Sequence, residues 1–392
     1  MTTPPGLDLL RACLRWDAAG NHALRTLHAA GWAQIMELVR ARDGHALLAR
    51  RLTRAPDIPV PEEVAQELHR FKLDVAIRAL AGLSLLAPAV AAAGVPVMAL
   101  KGLDLAGRVY GDFGSRPMGD MDILVRPTDM DAMAAALSAQ GFRADTARRQ
   151  TTYHRLFHSP LPAGLPVELH WALGDRVGAP DRTDLLDALW TQAETVDIGG
   201  APFLVPSRPL LLLYLCHHME QHLFDMPLTH VWDVAEVLEQ AGETFDAAAF
   251  ARLCERFGQR KGVQAALHLM SSCLGIPTPA PPLPADTRAL LPDVVANLGR
   301  YPKTPADEPS PDLVLLTSHR TPWRVRAHVL RRVLFPPRRS LAAGGRAVPL
   351  AYAGLWRDVL RRFLRLRVMR RIKAPPSLAR PRRAARLSAW LR

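Results

Sequence analysis

The sequence predicts an α+β protein, mostly helical, carrying one small mixed sheet near its middle. Leu, Ala and Arg, all good helix formers, dominate the composition. Strand-like stretches are few and short, and they gather between residues 95 and 175. The chain has 392 residues, 49% of them apolar, which is enough for a sizeable core and two or three domains.

Residues 1–94 read as a helical region. Apolar residues recur on a helical period over 62–93, and Gly94 is a C-terminal stop. The long uncharged run 79–100 holds Gly82, Pro88, Gly94 and Pro96, so it predicts a buried helix followed by a strand rather than a membrane span. Pro96-Val97-Met98-Ala99-Leu100 is that strand. It ends at Lys101-Gly102, and a helix follows through Tyr110. Residues 111–119, with three glycines and a proline, form a loop. The next strand is 120–125. Thr128, with Asp131 three residues on, predicts a helix start by a capping box, and Gly141 its end. Residues 151–158 and 166–173 are two further strands.

From about 180 the pattern turns helical again. Ser207 is placed to cap an apolar helix reaching about Leu223. A second helix runs from Thr229 to about Gln240, and 246–274 is helical. Ten prolines between 277 and 311 predict an irregular linker over 277–320. No internal repeat is present.

Charge divides the chain in two. Residues 321–392 hold 20 Lys/Arg against the single acid Asp358, a net of +19. The other 320 residues hold 30 basic and 36 acidic groups, a net of −6. Within the tail, Trp356, Val359, Leu360, Phe363 and Leu364 share one side of a basic amphipathic helix. Such a helix can lie on an anionic membrane, grip nucleic acid or pack back on the body. The start of the sequence lacks a basic region followed by an apolar one, as a secretory signal has. Cys13, Cys216, Cys254 and Cys273 are widely spaced, which argues against zinc ribbons and disulfide frameworks. A cytoplasmic setting is expected, with peripheral membrane association through the tail left open.

The chemistry centres on acids that alternate along strands. Residues i and i+2 of a strand point the same way. Asp120 and Asp122 therefore share one face, while Met121, Ile123 and Val125 share the buried one. Paired carboxylates repel, and a hard cation such as Mg²⁺ relieves the repulsion through oxygen ligands. The pair alone fits a solvated strand face equally well. In Pro166-Val167-Glu168-Leu169-His170-Trp171, Glu168 and His170 share a face and Val167, Leu169 and Trp171 the other. If the two strands are neighbours, Glu168 is the third carboxylate that two-metal phosphoryl chemistry needs. The turn at Lys101-Gly102 lies between a strand and a helix, where backbone N–H groups can cradle phosphate. Lys101 and Arg116 add positive charge there. His218 and His222 lie four apart on one helical face, with Asp233 on the next helix as a partner. Met219 stands where an HExxH zinc motif needs Glu, so a structural or substrate-facing role is preferred.

The segments LKGLDLAGRVY, RPMGDMDILVRPTD, LSAQGF and VELHWAL resemble the uncharacterised nucleotidyltransferase family of the polymerase-beta-like superfamily. LLYLCHHMEQHLF and HVWDVAEVL resemble its helical half, so the likeness spans roughly residues 95–240. It implies a nucleotide-binding turn at Gly102, Mg²⁺ or Mn²⁺ on Asp120, Asp122 and Glu168, and an NTP as substrate. The usual Gly-Ser of the triphosphate turn reads Gly102-Leu103 here, so the serine hydroxyl is missing. The expected organisation is a helical region (1–94), a catalytic core (95–175), a helical domain (176–276), the linker and the basic tail. The expected reaction transfers a nucleoside monophosphate to an unidentified acceptor (small molecule, peptide or protein) and releases pyrophosphate. The alternatives are an inactive nucleotide-binding protein and a membrane- or peptide-docking accessory protein.

The charge division generates a test. Truncation after Ser318 should leave Mg²⁺-dependent NTP binding in place and abolish association with anionic vesicles or nucleic acid. That association in the intact chain should weaken steeply with salt, because bound counterions are released. An insoluble truncation would instead mean that the tail helix belongs to the core.

Overall fold

A computed structural model describes residues 7–41, 44–145, 153–173, 183–222, 224, 226–277, 283 and 288. The expected linker and basic tail therefore lie outside the described residues, apart from Pro277, Leu283 and Arg288.

Four helices lead in: α1 (Leu7–Leu14), α2 (Ala18–Arg25), α3 (Ala29–Ala41) and α4 (His45–Thr53). The long α5 (Glu62–Ala93) follows, and Gly94 closes it in the left-handed region at φ 65°, as the sequence predicts. The middle of the chain holds β1 (Met98–Ala99), then α6 (Lys101–Asp104), which runs on as a π-helical turn through Val109. After the loop come β2 (Met121–Leu124), α7 (Met130–Ala139), β3 (Arg143–Ala144), β4 (His154–His158) and β5 (Val167–His170). The last part holds α8 (Thr183–Thr191), β6 (Ala193–Ile198), β7 (Ala201–Pro206), α9 (Arg208–Gln221), α10 (Thr229–Ala241), α11 (Ala247–Arg256) and α12 (Arg260–Leu274).

The strands form one mixed sheet in the order β3-β4-β5-β2-β1-β7-β6. β2 pairs parallel with β5 and antiparallel with β1, and β1 pairs parallel with β7. Side-chain alternation then splits the interior into two cores. Met121, Ile123, Val125, Val167 and Leu169 face α5 and α7, as their spacing predicts. Met98, Leu100 and Leu124 face helices that precede and follow the sheet in the chain, where Tyr214, Val231 and Trp232 are buried. Along α5 the first turns join this second core through Val64 and Leu68, and the later turns join the first through Leu83, Leu86 and Val90. By length and apolarity α5 is able to cross a membrane, yet it serves here as a core helix. It lies hard against the sheet at Gly82, where a Cβ would come within 2.8 Å of Met121 Cε and 3.1 Å of the Leu165 amide nitrogen.

Several local expectations are corrected. Residues 193–206, expected to be helical, form the β6–β7 hairpin. Gly199 and Gly200, both at positive φ (66° and 84°), supply the two-residue turn that such a hairpin requires. The sheet thus extends beyond residue 175. The capping box at Thr128 is not made. The chain enters α7 through a 3₁₀ turn (Pro127–Asp129), and Thr128 Oγ1 donates to Asp129 Oδ1 at 3.1 Å instead. Pro127 favours this entry because its φ is already near the helical value. Ser207 stands at the start of α9, but its hydroxyl makes no capping bond. The expected helix over 246–274 is two helices, broken at Gly258, which adopts φ 58°.

Candidate active site

The site lies on the sheet face that meets α9 and α10. The parallel register pairs Asp122 with Glu168 and Leu124 with His170, so the two acids stand side by side on neighbouring strands. The antiparallel register of β4 with β5 sets His154 opposite His170. Asp120 immediately precedes β2 and joins the same cluster. The three carboxylates inferred from strand alternation therefore converge.

Asp122 Oδ1 accepts two bonds, one from Lys101 Nζ at 2.9 Å and one shared with His170 Nε2 at 2.8 Å. Burial works against ionisation of Asp122, but the charges and hydrogen bonds of Lys101 and His170 outweigh it and hold the acid well below the usual carboxylate range. At His170, burial and the Lys101 charge work downward, but the hydrogen bonds to Asp122 and to Glu168 Oε2, 3.3 Å away, outweigh them and raise it. Lys101 is raised too, since the Asp122 charge overcomes burial. Asp120 behaves oppositely. Burial, then the charges of Asp122 and Glu168, push it up to about 7. One carboxylate of the cluster thus carries the repulsion that the others have shed onto cations.

Lys101 reaches this position through strain. Its φ is 44°, a left-handed value that costs a non-glycine residue about 1 kcal/mol. Gly102 follows because the turn is crowded: a Cβ there would stand 3.0 Å from Met118 Cβ.

Arg116 and Asp233 meet, which strand and helix periodicity did not foretell. Arg116 donates from Nε to Oδ1 at 2.8 Å and from Nη2 to Oδ2 at 2.7 Å, and both side chains are buried. Tyr110 OH donates to Oδ1 at 2.9 Å. Asp233 therefore anchors the glycine-rich loop to α10, whereas the sequence suggested it as a partner for His218 and His222. Those two histidines stand together at the end of α9, ring centroids 4.6 Å apart, with the His230 ring 5.6 Å from His218. Burial and then the Lys101 charge push His218 well below its usual value. Burial and then Arg116 push His230 down to about 3. His218 and His230 are thus both disfavoured as cations, His218 in part by Lys101 and His230 in part by Arg116.

Residues 28–275, well over half of the chain, match the profile of a family described as uncharacterised nucleotidyltransferase. The chain belongs to that family. No curated protein sequence matches it. A solved structure of the antibiotic-resistance factor ANT(2'')-Ia is 16% identical and aligns with 46% of this chain and 94% of its own, at a TM-score of 0.33.

In this nucleotidyltransferase, sequence reasoning passed over His154, Tyr110 and Tyr214. It noted His170 only as a neighbour of Glu168. For His170 the signal was present, two residues from an acid on an alternating strand. For His154 nothing in the sequence fixes the β4–β5 register. Tyr214 lies in an apolar helix like any core residue, yet it is near enough to Lys101 for the two to interact.

The Arg116–Asp233 pair yields a prediction. Asp233→Ala leaves a buried guanidinium without its carboxylate and should destabilise the fold by about 3–5 kcal/mol. The double variant Arg116→Met, Asp233→Leu should recover much of that loss, because no buried charge is left unpaired. Urea unfolding of the three proteins measures both; a double variant no more stable than Asp233→Ala would show that the pair does more than satisfy itself.

Proposed function

We propose that this nucleotidyltransferase is metal-dependent and transfers a nucleoside monophosphate from an NTP to an acceptor, releasing pyrophosphate. The observation that supports it is the convergence of Asp120, Asp122 and Glu168, imposed by the Asp122–Glu168 register. The donor set fits the group the family implies: three carboxylates offer the hard oxygen ligands that Mg²⁺ or Mn²⁺ prefers, and crowding around Asp120 is what a cation would relieve. When bound on Asp120, Asp122 and Glu168, the metal would supply charge stabilisation at the transferring phosphate.

The chain's own groups divide the remaining work. Lys101, fixed on Asp122, presents positive charge beside the turn at Gly102, where the phosphates would approach the backbone. His218 and His222 would face the nucleotide from α9. Arg116 and Asp233 are read as positioning residues, because each is committed to the other and so acts through the loop and the local field. Glu168, held by His170, would take the acceptor's proton as the acceptor oxygen bonds to the α-phosphorus and the bond to the departing pyrophosphate breaks. Leu103 in place of the serine expected at the triphosphate turn supports a second reading, an NTP-binding protein without turnover.

Two variants test the transfer reading. Asp122→Asn should abolish transfer and weaken Mg²⁺ binding while the fold persists, as followed by calorimetry and circular dichroism. Unchanged Mg²⁺ affinity would end the carboxylate assignment. Glu168→Gln should slow transfer by at least about 10²-fold, the scale for a lost base. NTP binding without pyrophosphate release in the unaltered protein, across candidate acceptors, would favour the binding-only reading.

A further inference from the structure

We propose that His154, Glu168 and His170 form a separate cation position selective for a borderline ion of the Zn²⁺ and Co²⁺ class. It is a separate position from the all-carboxylate one, with which it shares Glu168, and it touches Asp122 through His170.

The argument begins with the registers. His154 lies directly across from His170 on β4 and β5, and Glu168 is two residues before His170 on the same face. Three donors are thus fixed by two adjacent strands, not by a mobile loop. Their ligand atoms lie within 4.8 Å of one another. Glu168 bridges the pair, with Oε1 3.6 Å from His154 Nε2 and Oε2 3.3 Å from His170 Nε2. Ligands about 2.0–2.1 Å from a tetrahedral zinc stand about 3.4 Å apart, so each imidazole already lies near bound-ligand spacing from one oxygen of Glu168. Both imidazoles bring Nε2 near Glu168, and His170 Nε2 also meets Asp122 Oδ1 at 2.8 Å, a contact it would exchange for the ion. His154 is half-buried, Glu168 likewise, and His170 is buried, so the position is shielded without being closed.

The chemistry of the donors then selects the ion. Two imidazole nitrogens and one carboxylate suit Zn²⁺, Co²⁺ and their neighbours, whereas Mg²⁺ dehydrates reluctantly and prefers oxygen. The all-oxygen group of Asp120, Asp122 and Glu168 has the opposite preference. Adjacent positions on one sheet face would therefore sort cations by ligand type, with Glu168 between them. The Tyr153 ring lies 4.5 Å from the ring of His154 and 6.0 Å from that of His170, which limits the orientations open to both imidazoles.

The test titrates Co²⁺ into the full-length protein and follows its visible d–d absorption, with Zn²⁺ as competitor. An intense band of low coordination number, displaced by Zn²⁺, is expected. His154→Asn should weaken Co²⁺ binding at least tenfold, whereas His222→Asn should leave it within twofold, which excludes the other histidine cluster. Asp120→Asn should keep the Co²⁺ band while lowering Mg²⁺ affinity. A failure of the transfer reading would therefore not be mistaken for a failure of this one. No band, equal affinity in wild type and His154→Asn, or loss of the band in His222→Asn overturns the proposal. Should His154→Asn not fold, zinc K-edge absorption of the His222→Asn protein at one equivalent decides: two imidazoles with oxygen support the site, and an all-oxygen shell overturns it.

Discussion

Everything at this site hangs on how Asp122 is kept ionised. Burying a bare carboxylate costs several kcal/mol, and two like charges beside it raise the cost. The structure answers with Lys101 from the turn after β1 and His170 from β5, both on one oxygen. Each stands on, or in the turn just after, a strand that β2 itself pairs with. The ion pairs and the sheet registers are therefore the same constraint seen twice: shift β5 by one residue and both Glu168 and His170 leave the face. Lys101 accepts an unfavourable backbone to reach its place, which is the kind of strain that a surrounding structure must over-determine.

The helical parts serve this arrangement from two sides. α5 and α7 cover the apolar face of β2 and β5, where Met121, Ile123, Val167 and Leu169 are buried. On the other face, α9 and α10 bring Tyr214, His218 and Asp233 over the carboxylates. The Arg116–Asp233 pair, with Tyr110, ties the glycine-rich loop before Asp120 to α10. The loop that delivers one acid is thus held by the helix that roofs the others. Another buried acid, Asp104, is paired with Arg108 one turn on, with both guanidinium bonds at 2.8 Å.

Much of this was legible in the sequence where period and local chemistry agree. The acidic faces of β2 and β5, the apolar faces opposite and the span of α5 with Gly94 all follow from spacing alone. The β6–β7 hairpin was written there too, in Gly199-Gly200 between alternating residues, but neighbouring helical periodicity masked it. Other features had no local signal. The pairing of Arg116 with Asp233 joins residues more than a hundred positions apart, and each looks like an ordinary surface charge until the fold buries it. His154 acquires meaning only from the β4–β5 register. The failed capping box shows competition at one site: Pro127 sets the entry to α7 before Thr128 can act on it.

The missing side chain at Gly82 has a reach that its distance from the acids conceals. It is the spacer between α5 and β2, and Met121, which fills the gap, lies between Asp120 and Asp122 in the chain. Helix and strand are in contact there without slack. Added bulk would be transmitted through Met121 to the strand, and the backbone at Leu165 stands too close to yield. The alignment of the carboxylates is therefore gauged from behind, by a residue with no chemistry of its own on the opposite face of the sheet.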